Sequence, residues 1–126
     1  MEETQADTKT RTVIIIEDSN AGLRRYADES IDCILLDLHL PDMNGVEFLG
    51  FFKKQHGENT YPIIMLTRQG SEEDAVMALK SGAHDYLSKN GLTPEALNRS
   101  IENAIEKVNL HKKLENWTRV LFSWTS

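Results

Sequence analysis

The sequence predicts an α/β fold, a parallel sheet of about four strands flanked by helices. Three observations carry this reading. Four short runs of β-branched and other apolar residues lie along the chain, each of a length that suits a strand covered on both faces. Stretches with helical spacing lie between them. The runs end in polar residues, Glu17-Asp18, Asp37, Thr67 and Lys89, and the carboxyl ends of parallel strands are where ligands collect.

Residues 1 to 11 are almost devoid of apolar side chains and read as a disordered tail. Val13-Ile14-Ile15-Ile16 is the first strand. Ala21 to Asp28 has the pattern of one short helix. Ile31 to Leu36 is the second strand. Val46 to Lys54 places Val46, Leu49 and Phe52 on one helical face, with Gly57 as a stop. Ile63 to Leu66 is the third strand. Ser71-Glu72-Glu73-Asp74 resembles a capping box ahead of Val76 and Leu79, and Gly82 follows as a C-cap. Tyr86-Leu87 and their neighbours form a shorter fourth strand. Thr93-Pro94-Glu95 opens the last helix, with proline at the first helical position. Leu97, Ile101, Ile105 and Val108 give that helix one apolar stripe, and Leu110, Leu114, Trp117 and Leu121 give a second. The alternation of strands and helices implies parallel pairing with right-handed crossovers.

Composition narrows the function classes. A chain of 126 residues is one domain's worth, and 40% apolar with 27% charged residues is ordinary for a soluble globular domain. Fourteen basic against twenty acidic residues leave a net charge of −6, a poor basis for binding nucleic acid or an anionic membrane. No apolar run approaches the ~20 residues of a membrane span. The polar, acidic N-terminus is unlike a signal peptide, so a cytoplasmic location is expected. The single cysteine, Cys33, lies within a strand run and reads as an inert core residue. His39, His56, His84 and His111 lack metal-ligand spacing.

The strand ends suggest chemistry. Carboxylates gathered at one sheet edge repel, so they take up a cation or a proton. Oxygen ligands with room for water suit Mg²⁺. A carboxylate beside Mg²⁺ can accept a phosphoryl group as an aspartyl phosphate. Lysine, a threonine hydroxyl and the metal would each stabilise charge on that group. Glu17, Asp18, Asp37, Thr67 and Lys89 supply these roles.

Four blocks, in this order, resemble the receiver (CheY-like) domain of two-component response regulators. They are Ile16-Glu17-Asp18-Ser19, Asp37-Leu38-His39-Leu40-Pro41-Asp42-Met43-Asn44-Gly45, Ile64-Met65-Leu66-Thr67 and Gly82-Ala83-His84-Asp85-Tyr86-Leu87-Ser88-Lys89. The resemblance covers about residues 12 to 108 and implies a flavodoxin-like parallel sheet. It makes Asp37 the phosphoacceptor. Glu17, Asp18 and Asp37 would hold Mg²⁺ with the backbone carbonyl of His39. Thr67 would bind a phosphoryl oxygen, Lys89 would pair with the phosphate, and Tyr86 would report the phosphorylated state. Pro41 and Gly45 would shape the loop after Asp37. The implied partner is a histidine kinase or phosphotransfer protein.

The chain also departs from the family pattern. Only 19 positions separate Asp18 from Asp37, where the family has a helix, a strand and a second helix. The first helix and second strand are missing, roughly two dozen residues by the usual size of such a unit. The 13 residues from Ser19 to Ile31 just suffice for a parallel crossover. The expected sheet therefore has four strands in sequential order, with the first three helices on one face and only the last on the other. The Val13–Ile16 strand becomes an open edge, and the second face is left underfilled. Residues 109 to 126 are expected to be a helical extension that folds over this face or drives dimerisation, with the Val13–Ile16 edge as an alternative homodimer surface. Arg68 stands where the family usually has a small residue, and Asn90 where proline is frequent.

Two functions follow. The first is a phosphoacceptor signalling module, without enzymatic turnover beyond its own phosphorylation and dephosphorylation. The second is a shortened or engineered receiver acting as an interaction or oligomerisation module with impaired phosphorylation. A Mg²⁺-dependent phosphohydrolase is disfavoured, because His39 stands where that chemistry wants an acid two residues after the nucleophile.

Overall fold

The computed structural model describes residues 10–18, 31–68 and 71–125. Within them the elements run β1 (Val13–Ile16), β2 (Cys33–Asp37), α1 (Gly45–His56), β3 (Ile63–Thr67), α2 (Glu72–Lys80), β4 (Asp85–Ser88) and α3 (Pro94–Thr125). The short helix expected over Ala21–Asp28 lies outside the described residues, as do residues 1–9 of the N-terminal tail.

The sheet is fully parallel, with the sequential order β1-β2-β3-β4. Ile34, Leu36, Ile63 and Met65 are buried on one face together with Ile16. There they meet Phe48, Leu49 and Phe52 of α1 and Ala78 of α2. Cys33, Leu35, Ile64 and Leu66 point to the other face and pack on Ile101 and Ala104 of α3. Strand alternation sorts the two sets, and burial on both sides explains the near-continuous apolar runs. The last helix covers its face alone among the described helices, as the shortened sequence implies. The second face is thinly covered at its edge, where Ile15 of β1 is 58% exposed.

Helix ends follow local chemistry. Asn44 caps α1, accepting from Val46 N, while the Glu47 side chain accepts from Asn44 N. This is a full capping box. At α2 only one half of such a box forms: Ser71 Oγ accepts from Asp74 N at 3.0 Å. The α2 cap residue at the other end is Ser81, with Gly82 one residue on at φ +107°. Helix α2 seats itself through Ala78, leaving Val76 and Leu79 about half exposed.

Helix α3 runs unbroken through 32 residues. Thr93 Oγ1 accepts from Ala96 N at its start, Pro94 fits the first turn, and no glycine or proline follows within the helix. Of the two outcomes expected for the tail, fold-back over the sheet is not the one seen, because nothing in 109–125 breaks the helix. Residues 109–121 are exposed along their whole length. The N-terminal half of α3 is tied down by Arg11 forking onto Glu102 at 2.8 and 3.0 Å, by Ser100 hydrogen-bonded to Asp85, and by Lys107 Nζ donating to His84 O at 2.9 Å.

His84 is the principal buried polar side chain away from the strand ends. Its Nδ1 accepts from Ile63 N at 3.1 Å, and its Nε2 lies 3.1 Å from Asn59 Oδ1. Those two bonds pin the start of β3 to the loop after α1. Burial, with the nearby positive charges of Lys53, His111 and Lys107, pushes the imidazole pKa down to about 4, so His84 is neutral.

Candidate functional site

Parallel register brings the predicted residues to one sheet edge. Ile16 pairs with Leu36, Asp37 with Leu66, and Thr67 with Ser88. Asp37 and Thr67 are the last residues of β2 and β3, and Glu17 and Lys89 are the first residues after β1 and β4.

Asp37 is the centre of the observed bonding. Its Oδ2 accepts from Lys89 Nζ at 2.8 Å. Its Oδ1 accepts from His39 N at 3.0 Å, the local turn that aspartate makes with an amide two residues on. The carboxylate is largely buried and the ammonium about one-third exposed. Burial opposes ionisation of Asp37, but the Lys89 and His39 hydrogen bonds, together with the Lys89 charge, outweigh it. Asp37 therefore titrates below the ordinary carboxylate value. At neutral pH the site holds a carboxylate and an ammonium in contact, with the anion able to act as a nucleophile.

The backbone fixes this pair. Leu38 N donates to Leu66 O at 2.8 Å and Lys89 N to Thr67 O at 2.6 Å, so the sheet ladder continues past the last strand residues. Thr67 is 1% exposed. The start of α1 closes onto the loop after Asp37: Gly45 N donates to Leu38 O at 2.6 Å. A Cβ at Gly45 would lie 2.5 Å from Asp37 O and 2.9 Å from Leu38 Cα. Glycine is required here for close approach of two backbones. The sequence implies only a loop-shaping role for Gly45; the distance that makes glycine obligatory is a tertiary fact.

The remaining predicted residues sit as follows. Glu17 and Asp18 are exposed and follow β1 directly. Among the described residues, no three histidine, cysteine or acidic side chains converge with metal-holding geometry. Tyr86 is partly buried against the α1/α2-side core, and its hydroxyl is buried without a hydrogen-bond partner among the described residues. Arg68, the atypical residue after Thr67, is exposed, and its carbonyl accepts weakly from Ser88 Oγ at 3.4 Å. Cys33 is buried with its thiol pushed up to about 12 by desolvation, which makes it inert.

Comparison with known proteins agrees with this geometry. The model of the response regulator receiver domain matches residues 2–102. The phosphate regulon transcriptional regulatory protein PhoB of Escherichia coli is 32% identical over 93 residues, covering 74% of this chain and 40% of PhoB. The transcriptional regulatory protein CpxR of E. coli is 43% identical over 77 residues, covering 61% of this chain and 32% of CpxR. This chain thus spans less than half the length of these relatives. A receiver domain structure from Clostridium thermocellum superposes with a TM-score of 0.66 at 26% identity, covering 80% of this chain and 98% of that one. No described helix is long and apolar enough to cross a membrane. With its parallel sheet, its Asp37–Lys89 pair at the strand ends and a family match across most of its length, the chain belongs to the response regulator receiver domains, signalling modules of two-component systems.

Proposed function

We propose that this receiver accepts a phosphoryl group on Asp37 from the phosphohistidine of a cytoplasmic histidine kinase or phosphotransfer protein, and signals through protein contacts. The observation that carries the reading is the 2.8 Å contact of Lys89 Nζ with Asp37 Oδ2. It couples an ionised nucleophile to a cation that can follow the charge onto the incoming phosphoryl oxygens. In the transfer, a carboxylate oxygen of Asp37 attacks phosphorus as the bond from phosphorus to imidazole nitrogen breaks, and the donor imidazole leaves. Thr67, at the end of the neighbouring strand, would donate its hydroxyl to a phosphoryl oxygen. Tyr86 would read the resulting change.

The ligand chemistry at the β1 and β2 ends suits Mg²⁺. Glu17, Asp18, Asp37 and the His39 carbonyl are all oxygen donors, the type that ion prefers, and they are the residues that would hold it. When bound, the ion would neutralise charge on the transferring group.

The test is incubation with Mg²⁺ and acetyl phosphate, read by intact mass. Wild type is expected to gain one phosphoryl group and Asp37→Ala none. A wild-type chain that gains nothing, while remaining folded by circular dichroism, would favour the alternative of an interaction module that has lost phosphorylation.

A further inference from the structure

The exposed half of α3 carries a second apolar stripe, distinct from the one that seats the helix on the sheet. The seated stripe is Leu97, Ile101, Ala104 and Val108. Continued at the same spacing it reaches His111 and Glu115, which are polar. The new stripe begins two residues after Val108, about 200° around the helix. It runs Leu110, Leu114, Trp117 and Leu121, with Trp124 at the next position. The spacing is 4-3-4-3, the period of a coiled-coil seam. Leu110, Leu114, Trp117 and Leu121 are 51%, 64%, 65% and 61% exposed, and Val120 beside them is 47% exposed.

We infer that this stripe pairs two copies of the chain, helix against helix. Three observations choose a second copy as the occupant. First, the seam is narrow and free of charge, while Lys112, Glu115, Asn116 and Arg119 occupy the outward heptad positions. Two identical helices can therefore meet without burying an ion. Second, the area suffices. At roughly 100 Å² of accessible surface for each of the five exposed side chains, a symmetric pair that covers them fully buries on the order of 1,000 Å², the lower bound for a specific interface. Third, a projecting helix of this length is marginal in water without tertiary contacts, and pairing supplies them. The other candidate surface, the β1 edge, offers only four residues of ladder.

The inference is independent of whether Asp37 is phosphorylated. Trp117 and Trp124 are the chain's two tryptophans, so their emission reports on this seam alone. Sedimentation of the full chain across micromolar concentrations should show reversible dimerisation, with blue-shifted tryptophan emission in the dimer. Leu114→Lys should weaken association at least tenfold and red-shift the emission, while Glu115→Lys, on the outward face, should leave both unchanged. Circular dichroism and heat-induced unfolding of Leu114→Lys check that its sheet domain remains folded. If Leu114→Lys unfolds the domain, Trp117→Gln serves in its place, read by mass. A chain that stays monomeric at hundreds of micromolar overturns the inference. So does a dimer indifferent to the seam substitutions, or a monomer whose tryptophans shift only when anionic phosphatidylglycerol vesicles are added.

Discussion

Two glycine-to-alanine substitutions in one helix should act with opposite signs. At Gly45 an added Cβ meets Asp37 O at 2.5 Å, Leu38 Cα at 2.9 Å and Leu38 O at 3.1 Å. All three are backbone atoms, so no rotamer change relieves them. Real Cβ contacts essentially never fall below 3.0 Å, so α1 and the end of β2 must part by at least 0.5 Å. Overpacking of this kind costs about 1–3 kcal/mol. With a urea slope of about 1–3 kcal/mol/M, the Gly45→Ala midpoint should fall by on the order of 1 M. The closest atom belongs to Asp37 itself, so the displacement is applied to the residue proposed as the nucleophile. A shift of about 1 Å can cost about 100-fold in rate, and phosphorylation by acetyl phosphate should slow by about tenfold or more. At Gly50, five residues along the same helix, a Cβ meets nothing within 4 Å and the position is exposed. There, alanine should stabilise the fold by about 0.5–1 kcal/mol through backbone entropy, and the phosphorylation rate should not change. Urea melts of both variants beside wild type decide the matter. If Gly45→Ala keeps the wild-type midpoint and rate, the close-approach argument is wrong. If both variants lose stability equally, a generic intolerance of α1 replaces it.

Three further outcomes are expected. Lys89→Met should raise the Asp37 carboxyl titration toward the ordinary carboxylate value, seen as a shifted ¹³C midpoint; an unchanged midpoint would mean the 2.8 Å pair does not set the charge state. Stability should fall as pH drops from about 6.5 to about 4, because the unfolded imidazole of His84 takes up its proton near 6.5 while the folded one waits until about 4. The loss is on the order of 3 kcal/mol, and the His84-dependent part of a urea midpoint-versus-pH curve should be absent in His84→Gln. Phe48 is 2% exposed in the core between α1 and the sheet, so Phe48→Ala should cost about 3–5 kcal/mol, measurable by denaturant unfolding.

Much of the architecture is legible in the residues because parallel strands buried on both faces leave unbroken apolar runs. The four runs ending at Asp18, Asp37, Thr67 and Lys89 mark four strands and their shared edge. The short interval between Asp18 and Asp37 foretells the sequential strand order, since the 13 residues from Ser19 to Ile31 just suffice for one parallel crossover and the resemblance makes the strands on either side of the missing unit neighbours. Local signals were less complete. The Asn44–Glu47 capping box lies in the same block as Gly45, and its three-residue spacing is visible in the sequence. Val76 and Leu79 look like a buried pair by type, but helix α2 turns Ala78 inward instead, which no periodicity in so short a helix decides.

The sequence by itself determined the fold class, the set of polar residues at the strand ends and the second apolar stripe after Val108, because each is a pattern of residue type and spacing along one chain. Only the tertiary structure decided that Asp37 bonds Lys89 across 52 positions of sequence, that Gly45 allows two backbones to close behind that carboxylate, and that His84 stays neutral among the groups packed around it. It also decided that the tail continues α3 outward rather than folding over the sheet. Helical spacing says which residues share a face, but what that face meets depends on where the preceding turns are seated. Leu97, Ile101 and Ala104 clamp α3 to the sheet, and the unbroken helix then carries the Leu110–Leu121 stripe into solvent.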